Sequence, residues 1–139
     1  MKKISVLIPA FNEEKNIENV IKFVQSNHLV DEIIVIDNNS NDNTSLIAKQ
    51  LNVKTLFCID RGKGYAMGYG LKNAKNDIIL FLDADIPDYQ NDMIEKMINP
   101  IANDDYDFVK SDFTRDGGRV TELVAKPLLE ILFPKFNFN

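Results

Sequence analysis

The chain has 139 residues, of which 45% are hydrophobic and 27% are charged, a balance that suits one globular domain with a buried core. Lys and Arg total 16 against 21 Asp and Glu, and the resulting net charge of −5 argues against a general nucleic-acid or anionic-membrane binder. No apolar run approaches the ~20 residues of a membrane span, and the N-terminus is predicted to be a strand and not a signal peptide.

The hydrophobic pattern alternates between short apolar runs and helical stripes along the chain. The apolar runs predict five strands, at residues 4–9, 32–37, 53–58, 77–82 and 106–111. The stripes between them predict helices over residues 17–24, 44–51, 63–74 and 93–101, with Asn41 or Asp42 as the N-cap of the second. A last predicted helix, over residues 119–133, contains Pro127, which should kink or split it. This alternation predicts an α/β fold with a mostly parallel sheet and helices on both faces.

The chain has a single cysteine and a single histidine. Cys58 lies at the end of the third apolar run, and we interpret it as a buried thiol. One cysteine excludes an internal disulfide and fits a reducing compartment, so we expect a cytoplasmic protein. His28 lies on the amino side of a predicted strand, and we expect it to have a surface role.

Each predicted strand is followed by a polar, charged or glycine-rich loop. These loops are AFNEE (10–14), DNNSND (37–42), DRGKG (60–64), DAD (83–85) and SDFTRDGGR (111–119). In an open parallel sheet, ligands bind beyond the carboxyl ends of the strands, and all five loops should share that edge. A structural protein has little reason to gather so many carboxylates and basic groups there, so the sequence predicts a functional site at this edge.

Asp83 and Asp85 follow the fourth apolar run in the sequence IILFLDAD. In an extended chain, residues i and i+2 face the same side ~6.5 Å apart, and two carboxylates that close repel unless a cation or proton joins them. Hard oxygen ligands suit Mg²⁺ or Mn²⁺, which usually hold substrate phosphates as well. The alternative is an acidic turn that caps a core strand. A second D-x-D match, Asp105 to Asp107, precedes a predicted strand, and we interpret it as a solvated turn.

Two glycine-containing loops carry basic groups. In DRGKG, Lys63 stands between glycines at a predicted helix N-terminus, an arrangement that suits an anion, although the loop is neither a P-loop nor G-x-G-x-x-G. In GGRVTE, Gly118 permits unusual backbone angles, Arg119 can form paired hydrogen bonds to a phosphate or carboxylate, and Thr121 adds a hydroxyl. The alternatives are a flexible connector in the first case and a glycine turn before a capped helix in the second.

Several stretches together resemble one known family. VLIPAFNEEKNI, IIVIDNNSNDNT, RGKGYAM and IILFLDAD resemble the nucleotide-sugar-binding half of family-2-type glycosyltransferases, which have the Rossmann-like GT-A fold. GGRVTELVAKPLL is similar to a narrower group in that family, the retaining enzymes that make glucosyl- or mannosyl-3-phosphoglycerate. The resemblance covers residues 3–133, nearly the whole chain.

The resemblance implies a role for each site residue. The donor, a nucleotide-diphosphate sugar such as UDP-glucose, would bind at Pro9, Ala10, Phe11, Glu13, Asp37, Asn38 and Ala84. Lys63 would meet the uracil or the phosphates, Asp83 the ribose or sugar hydroxyls, and Asp85, with Asp83, would bind Mg²⁺ or Mn²⁺ on the diphosphate, so that these three are the catalytic residues. The phosphate of 3-phosphoglycerate, or of a similar small acceptor, would bind at Gly118, Arg119 and Thr121.

The resemblance also implies an acceptor-binding half, which follows in the family and contributes a histidine to the metal site that His28 cannot replace. We therefore expect residues 1–139 to form a single nucleotide-sugar-binding domain that lacks this half. The alternatives are a non-catalytic nucleotide-sugar-binding module and a family-2 transferase with a different acceptor. The apolar stretches LLEILF and FNF near the C-terminus would favour self-association into a homo-oligomer.

Overall fold

The computed structural model describes residues 3–103 and 106–111. Its strands are β1 (Ile4–Ala10), β2 (Val30–Asp37), β3 (Lys54–Phe57) and β4 (Ile78–Phe81), and its helices are α1 (Ile17–Gln25), α2 (Thr44–Gln50), α3 (Lys63–Asn73) and α4 (Met93–Asn103). The chain divides into two compact units, Met1–Val109 and Lys110–Asn139, and these elements belong to the first. Within the described ranges, no helix combines the length and the apolar character that crossing a membrane requires.

The strands form one parallel sheet in the order β3-β2-β1-β4. β1 is central, and it pairs with β2 from Ile4↔Val30 to Ala10↔Asp37. Parallel neighbours need a crossover connection, and the helices between the strands provide it. The carboxyl ends of the four strands therefore meet at one edge, as the sequence predicted.

The core lies on both faces of the sheet. Val6 and Ile8 of β1 belong to one apolar cluster, which also contains the buried stripe of α1 and buried residues of α2 and α4. Leu7 of β1 and Ile36 of β2 belong to a second cluster, with Ala66 of α3. Because successive strand residues point to opposite faces, the two clusters lie on opposite sides of the sheet. The prediction of helices on both faces is confirmed.

α3 approaches the sheet closely at one glycine. A Cβ atom added at Gly70 would lie 2.7 Å from Cδ1 and 3.0 Å from Cγ1 of Ile36, which is fully buried. The same addition at Gly68 would meet no atom within 4 Å. Of Gly68 and Gly70, therefore, only Gly70 is needed for the close packing of α3 against the sheet.

A polar cluster around the buried Ser5 lies near the amino ends of β1 and β2. The Ser5 hydroxyl, which is fully buried, donates to Glu32 Oε2 (2.6 Å) and accepts from Asn76 Nδ2 (3.0 Å). The Lys75 N–H also donates to Glu32 Oε2 (2.9 Å). Burial raises the pKa of Glu32, but the hydrogen bonds from Ser5 and Lys75 and the charge of Lys54 outweigh it and hold the pKa below its ordinary value of 4.5.

Two predictions of local structure are wrong. Residues 106–111, predicted as a fifth strand, form no strand, and Tyr106 and Phe108 are 60% and 77% exposed. A strand requires backbone partners, and no described strand pairs with this segment. α2 begins at Thr44, so its N-cap is Asn43 and neither Asn41 nor Asp42 as predicted. The Asp42 carboxylate accepts hydrogen bonds from the backbone N–H groups of Thr44 (3.0 Å), the first residue of α2, and of Glu14 (3.0 Å). The helix predicted over 119–133 lies outside the described residues.

Candidate functional site

The loops after β1 and β2 are joined by side chains at the carboxyl edge of the sheet. The Asn12 N–H donates to Ser40 Oγ (3.0 Å), and the Asn41 N–H donates to Asn12 Oδ1 (2.8 Å). Asn12 and Asn39 have φ values of 55° and 64°, in the left-handed region that asparagine tolerates better than most residues. Hydrogen bonds therefore hold the loops after β1 and β2 against each other.

Asn38 connects the second loop to the third. Its amide Nδ2 donates to the carbonyl oxygens of Asp60 (2.6 Å) and Cys58 (3.3 Å), and its Oδ1 accepts from the Gly62 N–H (2.7 Å). Gly62 has a φ of 131°, which residues with a side chain rarely adopt, and α3 begins at the next residue. This sharp turn places Lys63 in the first turn of α3, at the carboxyl edge.

The acidic turn after β4 lies next to the start of α3. Lys63 forms an ion pair with Asp83, and the two side chains are 61% and 33% exposed. The Tyr89 hydroxyl donates to the Asp83 carbonyl oxygen (2.8 Å), and the Tyr89 ring stacks on Phe23 of α1. Asp85 is exposed. A cation, two carboxylates and the N-terminus of a helix are thus brought together at one edge.

Arg61 joins the third loop to the first. Its guanidinium lies over the ring of Phe11, 5.8 Å from the ring centroid, in a cation–π contact. Phe11 is 47% exposed. The partly exposed aromatic ring of Phe11 and the positive charge of Arg61 are therefore adjacent at the carboxyl edge of the sheet.

Two ionisable groups near this edge have shifted pKa values. Burial, together with the negative charges of Asp83 and Asp85, raises the pKa of Tyr89 well above its ordinary value, so its hydroxyl remains a hydrogen-bond donor. Burial also acts to raise the pKa of Asp42, but hydrogen bonds from the Thr44 side chain and from backbone N–H groups outweigh it and lower that pKa. The Asp42 carboxylate therefore stays ionised where it joins the first two loops.

The carboxylate pair fits a divalent cation only in part. In residues 3–103 and 106–111, no three His, Cys, Asp or Glu side chains are grouped closely enough to hold a metal ion. Asp83 and Asp85 supply hard oxygen ligands, and Mg²⁺ commonly binds proteins through one or two carboxylates plus substrate phosphates. The donor set therefore suits Mg²⁺ or Mn²⁺ bound together with a phosphate ligand, and not a cation held by these residues alone.

The predicted donor-site residues divide by accessibility. Lys63, Asp85 and Phe11 are exposed, Pro9, Glu13 and Asp83 are half-buried, and Ala10, Asp37, Asn38 and Ala84 are buried. The buried residues support the loops: Asp37 Oδ1 accepts from the Ser40 N–H (3.0 Å), and Ala10 and Ala84 pack in the core. Only the exposed and half-buried residues present accessible side chains to a ligand.

The predicted acceptor residues Gly118, Arg119 and Thr121 lie outside the described residues, as does Asp105. Asp107 is exposed, and its neighbour Tyr106 donates its N–H to the carbonyl of Pro100 in α4 (3.4 Å). The sequence analysis missed Arg61 and Tyr89. The basic side chain of Arg61 in the loop DRGKG is a signal that could have found it, whereas nothing in the spacing of DIPDYQ distinguishes Tyr89.

Comparison with known proteins identifies the family. Residues 5–137 match the model of glycosyl transferase family 2, and the chain belongs to this family. The glucosyl-3-phosphoglycerate synthases of Petrotoga mobilis and Mycolicibacterium smegmatis are 32% and 33% identical to it, over 97% and 96% of this chain. These alignments cover 49% and 52% of the two enzymes, so the chain spans about half the length of the curated relatives it matches.

Solved structures of a glucosyl-3-phosphoglycerate synthase confirm the fold of this chain. The crystal structure of glucosyl-3-phosphoglycerate synthase from Mycobacterium tuberculosis with Mn²⁺, UDP-glucose and phosphoglyceric acid matches with a TM-score of 0.86 and 35% identity, over 96% of this chain and 51% of that chain. Its complex with Mg²⁺ and UDP matches with a TM-score of 0.85. The predicted fold class, a parallel α/β sheet of the GT-A type, is therefore confirmed.

Proposed function

We propose that this chain binds a nucleotide-diphosphate sugar, with UDP-glucose as the expected donor, and provides the donor site of a hexosyltransferase. The observation that carries the proposal is the ion pair between Lys63 and Asp83 at the carboxyl edge, beside the exposed Asp85. Further support comes from the similarity to glucosyl-3-phosphoglycerate synthase, whose crystal structure contains Mn²⁺, UDP-glucose and phosphoglyceric acid.

The first loop provides the nucleoside side of the proposed site. Phe11 is 47% exposed, and a flat base can stack on the part of its ring that the Arg61 guanidinium leaves open. Pro9 and Glu13 of the same loop are half-buried. The Glu13 carboxylate accepts from Asn16 Nδ2 (3.0 Å), and its backbone N–H donates to Thr44 Oγ1 (2.8 Å). The loop is therefore held before ligand binding, which reduces the entropy cost of ordering it.

The phosphate side of the proposed site combines three sources of favourable electrostatics. Asp85 and Asp83 would hold Mg²⁺ or Mn²⁺ against the diphosphate. When bound, the cation would neutralise negative charge on the departing diphosphate as the bond to the sugar breaks. Lys63 adds a positive charge at the N-terminus of α3, where the helix dipole and free N–H groups also favour an anion.

The donor-site proposal is tested by the melting temperature of the chain with UDP, with and without Mn²⁺. A ligand at 100 times its Kd stabilises a protein by about 2.7 kcal/mol. Asp85→Asn should remove most of the metal-dependent stabilisation, and the control Asp88→Asn, an exposed aspartate in the same loop, should retain it. An unchanged melting temperature at saturating UDP and Mn²⁺ would sink the proposal.

We also propose 3-phosphoglycerate, or a similar small phosphorylated acceptor, as the second substrate, bound at Gly118, Arg119 and Thr121. A guanidinium and a hydroxyl next to a glycine suit a phosphate group. The Arg119→Ala variant should lose stabilisation by 3-phosphoglycerate and keep stabilisation by UDP. Undiminished acceptor binding in this variant would remove the basis for this acceptor.

A second candidate function is donor binding without transfer. It is favoured by the incomplete metal donor set, since the described residues supply two carboxylates and no third ligand. Release of UDP from UDP-glucose in the presence of 3-phosphoglycerate and Mn²⁺ distinguishes the two functions. Turnover by the 139-residue chain supports the transferase, whereas UDP binding without turnover supports the binding module.

A further inference from the structure

The acidic turn after β4 receives little support from the sheet. β4 ends at Phe81, the Leu82 N–H makes one more bond to the Leu7 carbonyl (3.0 Å), and residues 83–92 form neither helix nor strand. Asp83 and Asp85 repel each other when no cation joins them. The position of the Asp83 backbone therefore depends on contacts other than strand pairing.

Tyr89 provides such a contact. Its hydroxyl donates to the carbonyl oxygen of Asp83 (2.8 Å), and its ring stacks on Phe23 with ring centroids 5.4 Å apart and an interplanar angle of 19°. Phe23 lies on α1, whose buried face packs against the sheet through Val20 and Val24. The backbone of the acidic turn is thereby tied to the core through an aromatic pair.

The hydrogen bond from Tyr89 uses the backbone carbonyl of Asp83 and occupies neither carboxylate. The Asp83 carboxylate remains paired with Lys63, and the Asp85 side chain remains exposed. A tyrosine that occupied a carboxylate oxygen would compete with a cation for that ligand, whereas Tyr89 does not.

We propose that Tyr89 is a positioning residue, which fixes the backbone of Asp83 so that the carboxylates of Asp83 and Asp85 take a divalent cation together with a nucleotide diphosphate. The inference rests on the proposed donor site and adds a residue to it that does not touch the ligand. It predicts that the Tyr89 hydroxyl contributes to the metal-dependent part of UDP binding and not to the metal-free part.

The test is Tyr89→Phe, which removes the hydroxyl and keeps the ring that stacks on Phe23. Isothermal titration calorimetry gives the Kd of UDP with and without Mn²⁺. The ratio of the Kd without Mn²⁺ to the Kd with Mn²⁺ measures the coupling between nucleotide and metal. We expect an unchanged metal-free Kd and a ratio reduced about 2- to 12-fold, the range that a net hydrogen-bond contribution produces. The matched control is Tyr69→Phe on α3, where the tyrosine is 41% exposed and its hydroxyl forms none of the described hydrogen bonds.

The outcomes separate this inference from the proposed function. A reduced ratio in Tyr89→Phe with a wild-type ratio in Tyr69→Phe supports the positioning role. A lower melting temperature in Tyr89→Phe with an unchanged ratio shows that the hydroxyl only stabilises the fold, and overturns the inference while the donor site stands. UDP binding that does not respond to Mn²⁺ in the wild-type chain overturns the metal-dependent donor site and this inference with it.

Discussion

The close approach of α3 to the sheet can be tested by adding one methyl group at Gly70. A Cβ atom there would lie 2.7 Å from Cδ1 of Ile36, well inside van der Waals contact, and Ile36 is fully buried and cannot turn towards solvent. Overpacking of a filled core costs about 1–3 kcal/mol. Replacing a helical glycine by alanine returns about 0.5–1 kcal/mol. We therefore expect Gly70→Ala to lower the free energy of unfolding by about 1–2 kcal/mol.

Gly68→Ala is the matched control, because a Cβ atom at Gly68 meets no atom within 4 Å. This variant should raise the free energy of unfolding by about 0.5–1 kcal/mol. Urea denaturation followed by circular dichroism measures both values. Because α3 carries Lys63 at its start, displacement of the helix should also weaken UDP binding in Gly70→Ala. The packing argument is refuted if Gly70→Ala is as stable as Gly68→Ala.

Three further predictions concern single side chains. Asn38→Ala removes three hydrogen bonds to the third loop, worth about 1.5–4.5 kcal/mol together, and should weaken binding of UDP more than binding of uridine. An equal loss for both ligands would contradict a role of Asn38 in placing Lys63. The folded-state pKa of Glu32 lies below 4.5, so its contribution to the free energy of unfolding is complete above that pH and is lost as the pH falls through the folded pKa. In urea denaturation, the free energy of unfolding of Glu32→Gln should therefore fall less steeply with decreasing pH than that of the wild-type chain. Identical slopes for the two proteins would count against this prediction. Asp107→Asn should leave UDP and Mn²⁺ binding unchanged, whereas loss of binding here and not in Asp85→Asn would show that the site has been placed at the wrong edge.

The fold could be predicted because its signals are local. β1 and the carboxyl half of β2 are apolar runs buried on both faces, and β4 is a shorter apolar run, whereas the edge strand β3 is only partly buried. Of the helices between the strands, α1 has a buried apolar stripe and α2 buries Thr44 and Ala48. The position of the candidate site could then be predicted from topology, since parallel strands bring their carboxyl ends to one edge. The fifth predicted strand failed because YDFVKS (106–111) carries two charged residues and exposes Tyr106 and Phe108, and it pairs with neither edge strand of the described sheet.

The sequence did not predict which polar side chains of the candidate site support the loops and which are accessible to a ligand, because this depends on the orientation of each side chain. Asn38 and Lys63 both lie in polar loops after strands, and these positions do not show which of the two side chains is buried. In the structure the Asn38 amide is buried against three backbone groups of the next loop, whereas the Lys63 ammonium is exposed. Tyr89 acts through a backbone carbonyl six residues away, a contact that leaves no periodic signal in the sequence.

The ion pair between Lys63 and Asp83 explains how nucleotide and metal binding should be coupled. Both side chains are partly exposed, and such pairs contribute only about 0–1 kcal/mol, so opening this one costs little. A diphosphate would attract Lys63 and release Asp83 for a cation, and a cation on Asp83 would in turn release Lys63 for the diphosphate. Each ligand therefore removes the partner that competes with the other. Because coupling free energies are reciprocal, Mn²⁺ should tighten UDP binding by the same factor by which UDP tightens Mn²⁺ binding.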